Sequence, residues 1–286
     1  MSQEPFHLAE PAELNSAVLF ASPHSGRHYP WEFLDRSILD ERAIRSSEDA
    51  FVDQLFASAP RHGAAFLTAN APRAYVDLNR GADELDPALI KGLRHSHTNA
   101  RVTSGLGVIP RVVSGGRAIY RGKITLGEAQ RRLNSYWHPY HRALQALLDQ
   151  RRARFGQAIL IDCHSMPHEA VAGLASRNCP APQVVLGDRF GASADSRIVE
   201  QVEAAFTRAG FITSRNTPFA GAYMAHHYGR PSRGQHVVQV EIDRALYMNE
   251  ASIRPNANFH AVRDRLSDVI ADLVEIGQGD IALAAE

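Results

Sequence analysis

Hydrophobic and polar positions along the chain form short apolar runs that alternate with longer stretches of helical spacing. Residues 16–21 (SAVLFA) are apolar and stop at Ser22-Pro23-His24-Ser25-Gly26, which predicts a buried strand ending in a loop. Ile44, Phe51, Leu55 and Phe56 then recur at helical spacing and lead into a proline, so a helix is expected between Leu39 and Ala59. Residues 63–69 (GAAFLTA) and 74–78 (AYVDL) read as two further strands. Residues 81–122 are polar, rich in Gly, Ser and His, and weakly periodic, the pattern of a functional excursion rather than of scaffold.

The second half is more regular. Thr125 and Glu128 have capping-box spacing before a stripe of Leu133, Tyr136, Trp137, Tyr140, Leu144, Leu147 and Leu148. A helix is expected to about Arg152, kinked or divided at Pro139. Residues 157–162 (QAILID) predict a buried strand ending in Cys163-His164-Ser165. Residues 184–186 predict a shorter one, and 210–213 begin another extended segment. An amphipathic helix over 196–209, a strand over 236–242 (HVVQVEI) and a final helix near 259–276 complete the pattern. Strands alternating with helices of ten or more residues point to an α/β fold: a mixed, mostly parallel sheet with helices on both faces, in one domain over residues 1–286.

Composition narrows the function. Lys plus Arg and Asp plus Glu both number 31, so the chain is formally neutral and lacks the basic excess of a nucleic-acid binder. With 44% hydrophobic and 22% charged residues it is not a disordered chain. Only Lys91 and Lys123 are lysines, a bias that reads as genomic base composition. Two cysteines, Cys163 and Cys179, are too few for a disulfide scaffold and are not a C-x-x-C pair. The first twenty residues do not resemble a signal peptide, and no run approaches the roughly 20 apolar residues that span a bilayer. The expectation is a soluble cytoplasmic protein with a small-molecule partner and neither nucleic acid nor membrane. No G-x-G-x-x-G or P-loop follows a strand, which removes the usual nucleotide cradles.

The unusual count is 14 histidines, because neutral imidazole is a common metal ligand. Two of them, His24 and His164, each sit in a His-Ser pair directly after a buried run, where α/β sheets bind ligands. A hydrolytic zinc needs three protein ligands and one open position, so a carboxylate from Glu48 or Asp49 is a candidate third, with Asp53 a surface or supporting residue. Glu241 lies among Val237, Val238, Val240 and Ile242. A carboxylate there is costly unless paired, and it is either salt-bridged to an arginine or a general base. Asn79 and Arg80, at the end of RAYVDLNR, can grip a carboxylate, since a guanidinium matches two oxygens. Alternation would put Asp77 and Asn79 on one side. Ser165 lacks a nucleophile elbow, and Cys163 faces away from His164 in a strand.

Taken together, SPHSG (22–26), SEDAFVDQL (47–55), YVDLNR (75–80), GLGVIPRV (105–112), IYRG (119–122), PYH (139–141), LIDCHSMP (160–167), FAGAYMAHHYGRP (219–231) and QVEIDRALYM (239–248) resemble the N-formylglutamate amidohydrolase family, from about residue 18 to 247. That family is similar to the zinc carboxypeptidases, so the resemblance implies their phosphorylase/hydrolase-like fold. It also implies Zn²⁺ or another divalent metal on His24, Asp49 and His164. Glu241 would be the catalytic base. Asn79, Arg80, Tyr223 and His226 would bind a small carboxylate substrate, most simply N-formyl-L-glutamate. Zinc carboxypeptidases usually carry their acidic ligand three residues after the first histidine, a place held here by Arg27. Ala222 and His226 stand where the family commonly has glycine and arginine, and histidine cannot reproduce an arginine's bidentate grip. Two other readings therefore accompany the first: a related metalloamidase or carboxypeptidase acting on another N-acyl amino acid or small peptide, and a non-catalytic binding protein on the same fold.

Overall fold

The computed structural model describes residues 4–93, 99–175 and 180–278. Cys179, one of the two cysteines, lies outside them. So does part of the polar stretch 81–122. A seven-stranded sheet comprises β1 (Phe6–Ala9), β2 (Val18–Ser22), β3 (Ala65–Ala69), β4 (Ala158–Met166), β5 (Val184–Gly187), β6 (Thr213–Arg215) and β7 (Gln235–Asp243). Their spatial order is β1-β3-β2-β4-β7-β5-β6. β2 pairs with β4 in parallel, as do β4 with β7 and β5 with β6, whereas β5 runs antiparallel to β7. The sheet is thus mixed and mostly parallel, flanked by helices. Every residue of β4 and β7 is buried, the condition that lets a strand be apolar without alternation.

Contact density divides the chain into two compact units. The first is Met1–His7, Pro23–Ala50 and Thr68–Ala143, and the second is Leu8–Ser22, Phe51–Leu67 and Leu144–Glu286. The second unit holds most of the sheet. Val199, Val202 and Phe206 of the helix Ser196–Arg208 and Leu266, Val269, Ile270 and Leu273 of the helix Phe259–Ile276 are buried, the stripes their 3.6-residue periodicity anticipated.

The first unit is built around a buried cation. Arg132 is 2% exposed, and its guanidinium lies 4.2 Å from the Tyr75 ring centroid, 5.5 Å from Phe33 and 5.6 Å from Tyr120. It donates to the Tyr120 hydroxyl at 2.7 Å and pairs with Glu128. Thr125 Oγ1 accepts from the Glu128 amide at 3.1 Å, so half of the predicted capping box forms. The Glu128 carboxylate instead serves Arg36 and Arg132.

The helix beginning at Leu126 is divided, as its proline implied, but over Leu133–Trp137 rather than at Pro139 itself. An α-helical segment, Leu126–Arg132, passes into a π-helical turn, Leu133–Trp137, and resumes as His138–Phe155. Pro139, which has no amide proton to donate, sits in the first turn of the resumed segment. Two other expectations change. Residues 39–59 are not one helix. Glu41–Ile44 and Val52–Leu55 are short helices separated where Phe51 takes a left-handed φ of 69°. In that break the Asp49 amide donates to the His24 carbonyl at 3.0 Å. Residues 74–78 are turns rather than strand. The Tyr75 amide folds back onto the Pro72 carbonyl, and the Asp77 carboxylate accepts from the Asn79 amide at 2.8 Å, a local bond that competes with sheet pairing.

Candidate active site

The site begins with strand register. β2 and β4 pair through Ala21↔Asp162, and β4 and β7 pair through Gln239↔Asp162 and Glu241↔His164. Side chains two residues apart share a face. Asp162, His164, Gln239 and Glu241 therefore form a polar quartet on one face of two buried strands. His164 lies within β4, which continues two residues beyond it to Met166 instead of stopping at Asp162.

Each imidazole is held by a carboxylate. Asp77 Oδ1 lies 2.7 Å from His24 Nε2, and Asp162 Oδ1 lies 2.9 Å from His164 Nε2. Such contacts fix the ring orientation and leave Nδ1 as the second nitrogen. His24 Nδ1 lies 3.4 Å from Asp49 Oδ2. His24, Asp49 and His164, all buried, each offer a ligand atom, and these atoms lie within 4.8 Å of one another. Glu48 is committed elsewhere: it accepts from the Tyr29 hydroxyl at 2.6 Å and pairs with Arg45 at 3.0 Å. Burial and the Glu48 charge together push the Tyr29 hydroxyl far above its ordinary range, so it is a donor at neutral pH.

Asp77 also joins the first imidazole to Asn79 and Arg80. Its carboxylate accepts from Arg73 Nε at 3.0 Å as well as from the Asn79 amide. Burial opposes the Asp77 charge, but His24, Arg73 and Arg80 outweigh it and hold the carboxyl well below the usual carboxylate range. Arg80 is itself buried. Its Nε donates to the Leu106 carbonyl at 3.0 Å and its Nη1 to the Asn79 carbonyl at 2.7 Å. Burial pulls Arg80 down to about 10, which leaves it charged at neutral pH.

Glu241 Oε1 accepts from Gln239 Nε2 at 2.8 Å, while Gln239 Oε1 accepts from the Ala222 amide at 3.0 Å. One amide side chain therefore ties the carboxylate to the segment 219–222. Beyond it, Tyr223 and His226 lie on the short helix Tyr223–Tyr228, which packs on β7. Tyr223 is half-buried and stacks on His227 with centroids 5.0 Å apart; His226 is exposed. Burial and the Asp162 charge push the Cys163 thiol well above its ordinary value, so it is an inert packing group. Ser165 Oγ accepts from Arg244 Nε at 3.1 Å.

Asp162 and Gln239 were not singled out in the sequence. Their signal was present as D-x-H and Q-x-E, spacings that in a strand put an orienting group beside a functional one. Asp77, which strand alternation would pair with Asn79, is instead the partner of His24.

Fold and cluster define an α/β protein with buried imidazole and carboxylate donors suited to a divalent cation. The chain belongs to the N-formylglutamate amidohydrolase family, whose sequence model matches residues 16–248. It is 30% identical to an N-formylglutamate deformylase of Pseudomonas aeruginosa over 261 residues, covering 90% of this chain and 91% of that one. Against an N-formylglutamate deformylase of Pseudomonas putida the identity is 31% over 240 residues, 82% of each. The crystal structure of an N-formylglutamate amidohydrolase from Ralstonia eutropha JMP134 superposes with a TM-score of 0.90 at 33% identity, covering 98% of this chain and all of that one. Among the described residues no helix is long and apolar enough to cross a membrane.

Proposed function

We propose that this protein hydrolyses the amide bond of N-formyl-L-glutamate to formate and L-glutamate, using zinc held by His24, Asp49 and His164. The observation that carries the reading is the buried two-histidine, one-carboxylate cluster, with Glu241 the register neighbour of His164, in a member of this family. The donors fit the ion. Two imidazoles and a carboxylate match zinc's preference, three protein ligands leave a position open, and Asp77 and Asp162 supply the outer carboxylates that metal-binding histidines usually have. Asp49 would be the acidic ligand, and Arg27 holds the place three residues after the first histidine. When bound, the ion supplies Lewis acidity that polarises the amide carbonyl and makes water nucleophilic near neutral pH.

The rest falls to the protein. Asn79 and Arg80 hold the substrate's α-carboxylate, which fixes the amide's position. Tyr223 and His226 bind the rest of the amino acid. Glu241 takes a proton from the attacking water as the C–O bond forms and returns it to the amine nitrogen as the C–N bond breaks. Gln239 steadies Glu241 by donating to Oε1.

The direct test is formate release by chelator-stripped protein after zinc is restored, with N-formylglutamate, N-formylaspartate and short peptides compared side by side. N-formylglutamate is expected to give the highest kcat/KM. A different acyl amino acid or a peptide in front, the outcome that His226 in place of arginine would favour, overturns the substrate. No turnover of any substrate by zinc-loaded protein overturns the enzyme. The outer carboxylates have their own test: Asp162→Asn should weaken zinc binding about 10- to 100-fold, read by competition with a chromophoric chelator, and an unchanged affinity would remove Asp162 from the site.

A further inference from the structure

N-formylglutamate carries two carboxylates, and Asn79 and Arg80 account for one. The second sits on the side chain and needs its own cation. His226, exposed and without a guanidinium fork, is a poor candidate.

The loop after β5 offers a better one. Gly187 is the register partner of Gln239, and a Cβ built on it would meet the Ala220 carbonyl carbon and the Gly221 nitrogen at 2.7 Å. The backbone of residues 220–221 therefore lies directly on the sheet at Gly187, beside the glutamine that holds Glu241. Arg189 is fastened to that backbone. Its amide donates to the Ala220 carbonyl at 2.8 Å, and its side-chain Cγ would lie 3.2 Å from a Cβ built on Gly221. The next residue, Ala222, gives its amide to Gln239. Arg189 and Glu241 are thus linked through a short run of contacts within one compact unit.

The loop is shaped for this arginine at some cost. Arg189 and Phe190 both take left-handed backbone angles, with φ of 54° and 56°, which residues with a Cβ rarely adopt. The turn is held by Asp188, whose Oδ1 accepts from Asn216 Nδ2 at 2.5 Å and whose Oδ2 accepts from the Gly191 amide at 3.1 Å. Both oxygens of the adjacent acid are thereby occupied, and neither pairs with Arg189. Neighbouring cations are committed as well: Arg215 to Glu203, and Arg230 to the carbonyls of His226 and Gly229. Among the described residues the half-buried Arg189 guanidinium has no side-chain partner. Backbone in a rarely populated conformation that presents an uncompensated cation is characteristic of a ligand clamp.

We infer that Arg189 binds the side-chain carboxylate of the substrate and sets the enzyme's preference for an acidic amino acid. This rests on the proposed hydrolysis of N-formylglutamate and identifies the residue behind its specificity. The test compares kcat/KM for N-formyl-L-glutamate with that for N-formyl-L-glutamine, which has the same shape and keeps the α-carboxylate but has a neutral side chain, in wild type, Arg189→Gln and Arg189→Lys. The ratio of two substrates on one preparation is insensitive to the fraction of folded enzyme. Arg189→Gln should lose about 10- to 100-fold on N-formylglutamate, the range of a charge-assisted hydrogen bond, and change little on N-formylglutamine. Arg189→Lys, which keeps the charge without the fork, should retain part of the preference. Equal losses on both substrates, or an unchanged ratio, would overturn the assignment. Wild-type enzyme that releases no formate from N-formylglutamate would overturn the reaction itself, and the arginine's role with it.

Discussion

Replacing Glu241 by glutamine is expected to lower kcat by about 10³-fold, within the 10²–10⁴ range that a positioned general base contributes, while zinc content stays near one per chain. The two readouts separate because Glu241 is not one of the three clustered ligands. The substitution preserves shape, and Gln239 Nε2 can still donate to the carbonyl oxygen of the new amide, as it now does to Oε1 at 2.8 Å. Thermal stability should therefore change little. What disappears is the capacity to accept a proton from water and deliver it to the leaving nitrogen. Formate release measured alongside elemental analysis checks both halves. Activity within a few-fold of wild type would remove Glu241 from the proton-transfer role, and loss of zinc with activity would make it a ligand instead.

The parts of this molecule that could be read from sequence are those fixed by local periodicity. β2, β4 and β7 are legible because their near-continuous apolar runs admit one placement, the buried middle of a sheet. The helix Phe259–Ile276 is legible because its stripe needs no information from elsewhere. Reading failed where a side chain acts on the backbone. Residues 74–78 have the composition of a strand, yet Asp77 turns its carboxylate onto the Asn79 amide, Arg73 and His24, so the chain turns. Residues 39–59 have helical spacing, yet they open at Phe51, next to where the Asp49 amide meets the His24 carbonyl. In both places local preference yields to contacts around one imidazole. Conflicts between local pattern and global structure are expected at functional sites.

The choice between Glu48 and Asp49 has the same character. The two are adjacent acids, and nothing in their immediate sequence separates them. The difference arises from what each side chain meets in the fold: Tyr29 and the nearby Arg45 occupy Glu48, and His24 faces Asp49. Composition hid a similar division. A formal charge of zero is compatible with local concentrations of cations, and Arg73 and Arg80 both act on the Asp77 carboxyl.

His164→Ala is expected to have the largest effect on the metal. It removes one of three ligands, and the roughly 10–16 kcal/mol that a four-ligand protein zinc site gains is shared among its ligands, so affinity should fall about 10²–10³-fold. Protein dialysed against a mild chelator should then carry little zinc, and formate release should fall to background. His24→Ala should do the same, with a useful difference in interpretation. Its outer carboxylate, Asp77, keeps Arg73 Nε at 3.0 Å and the Asn79 amide at 2.8 Å after the imidazole is gone, so that variant should stay folded and isolate the loss of metal from loss of structure. Cys163, the nearest alternative donor in sequence, cannot substitute: its thiol is buried and held neutral, and its neighbours in the strand point to the opposite face. Full zinc occupancy in either variant would refute the cluster as the metal site, because no two-ligand remainder of it should retain an ion against a chelator.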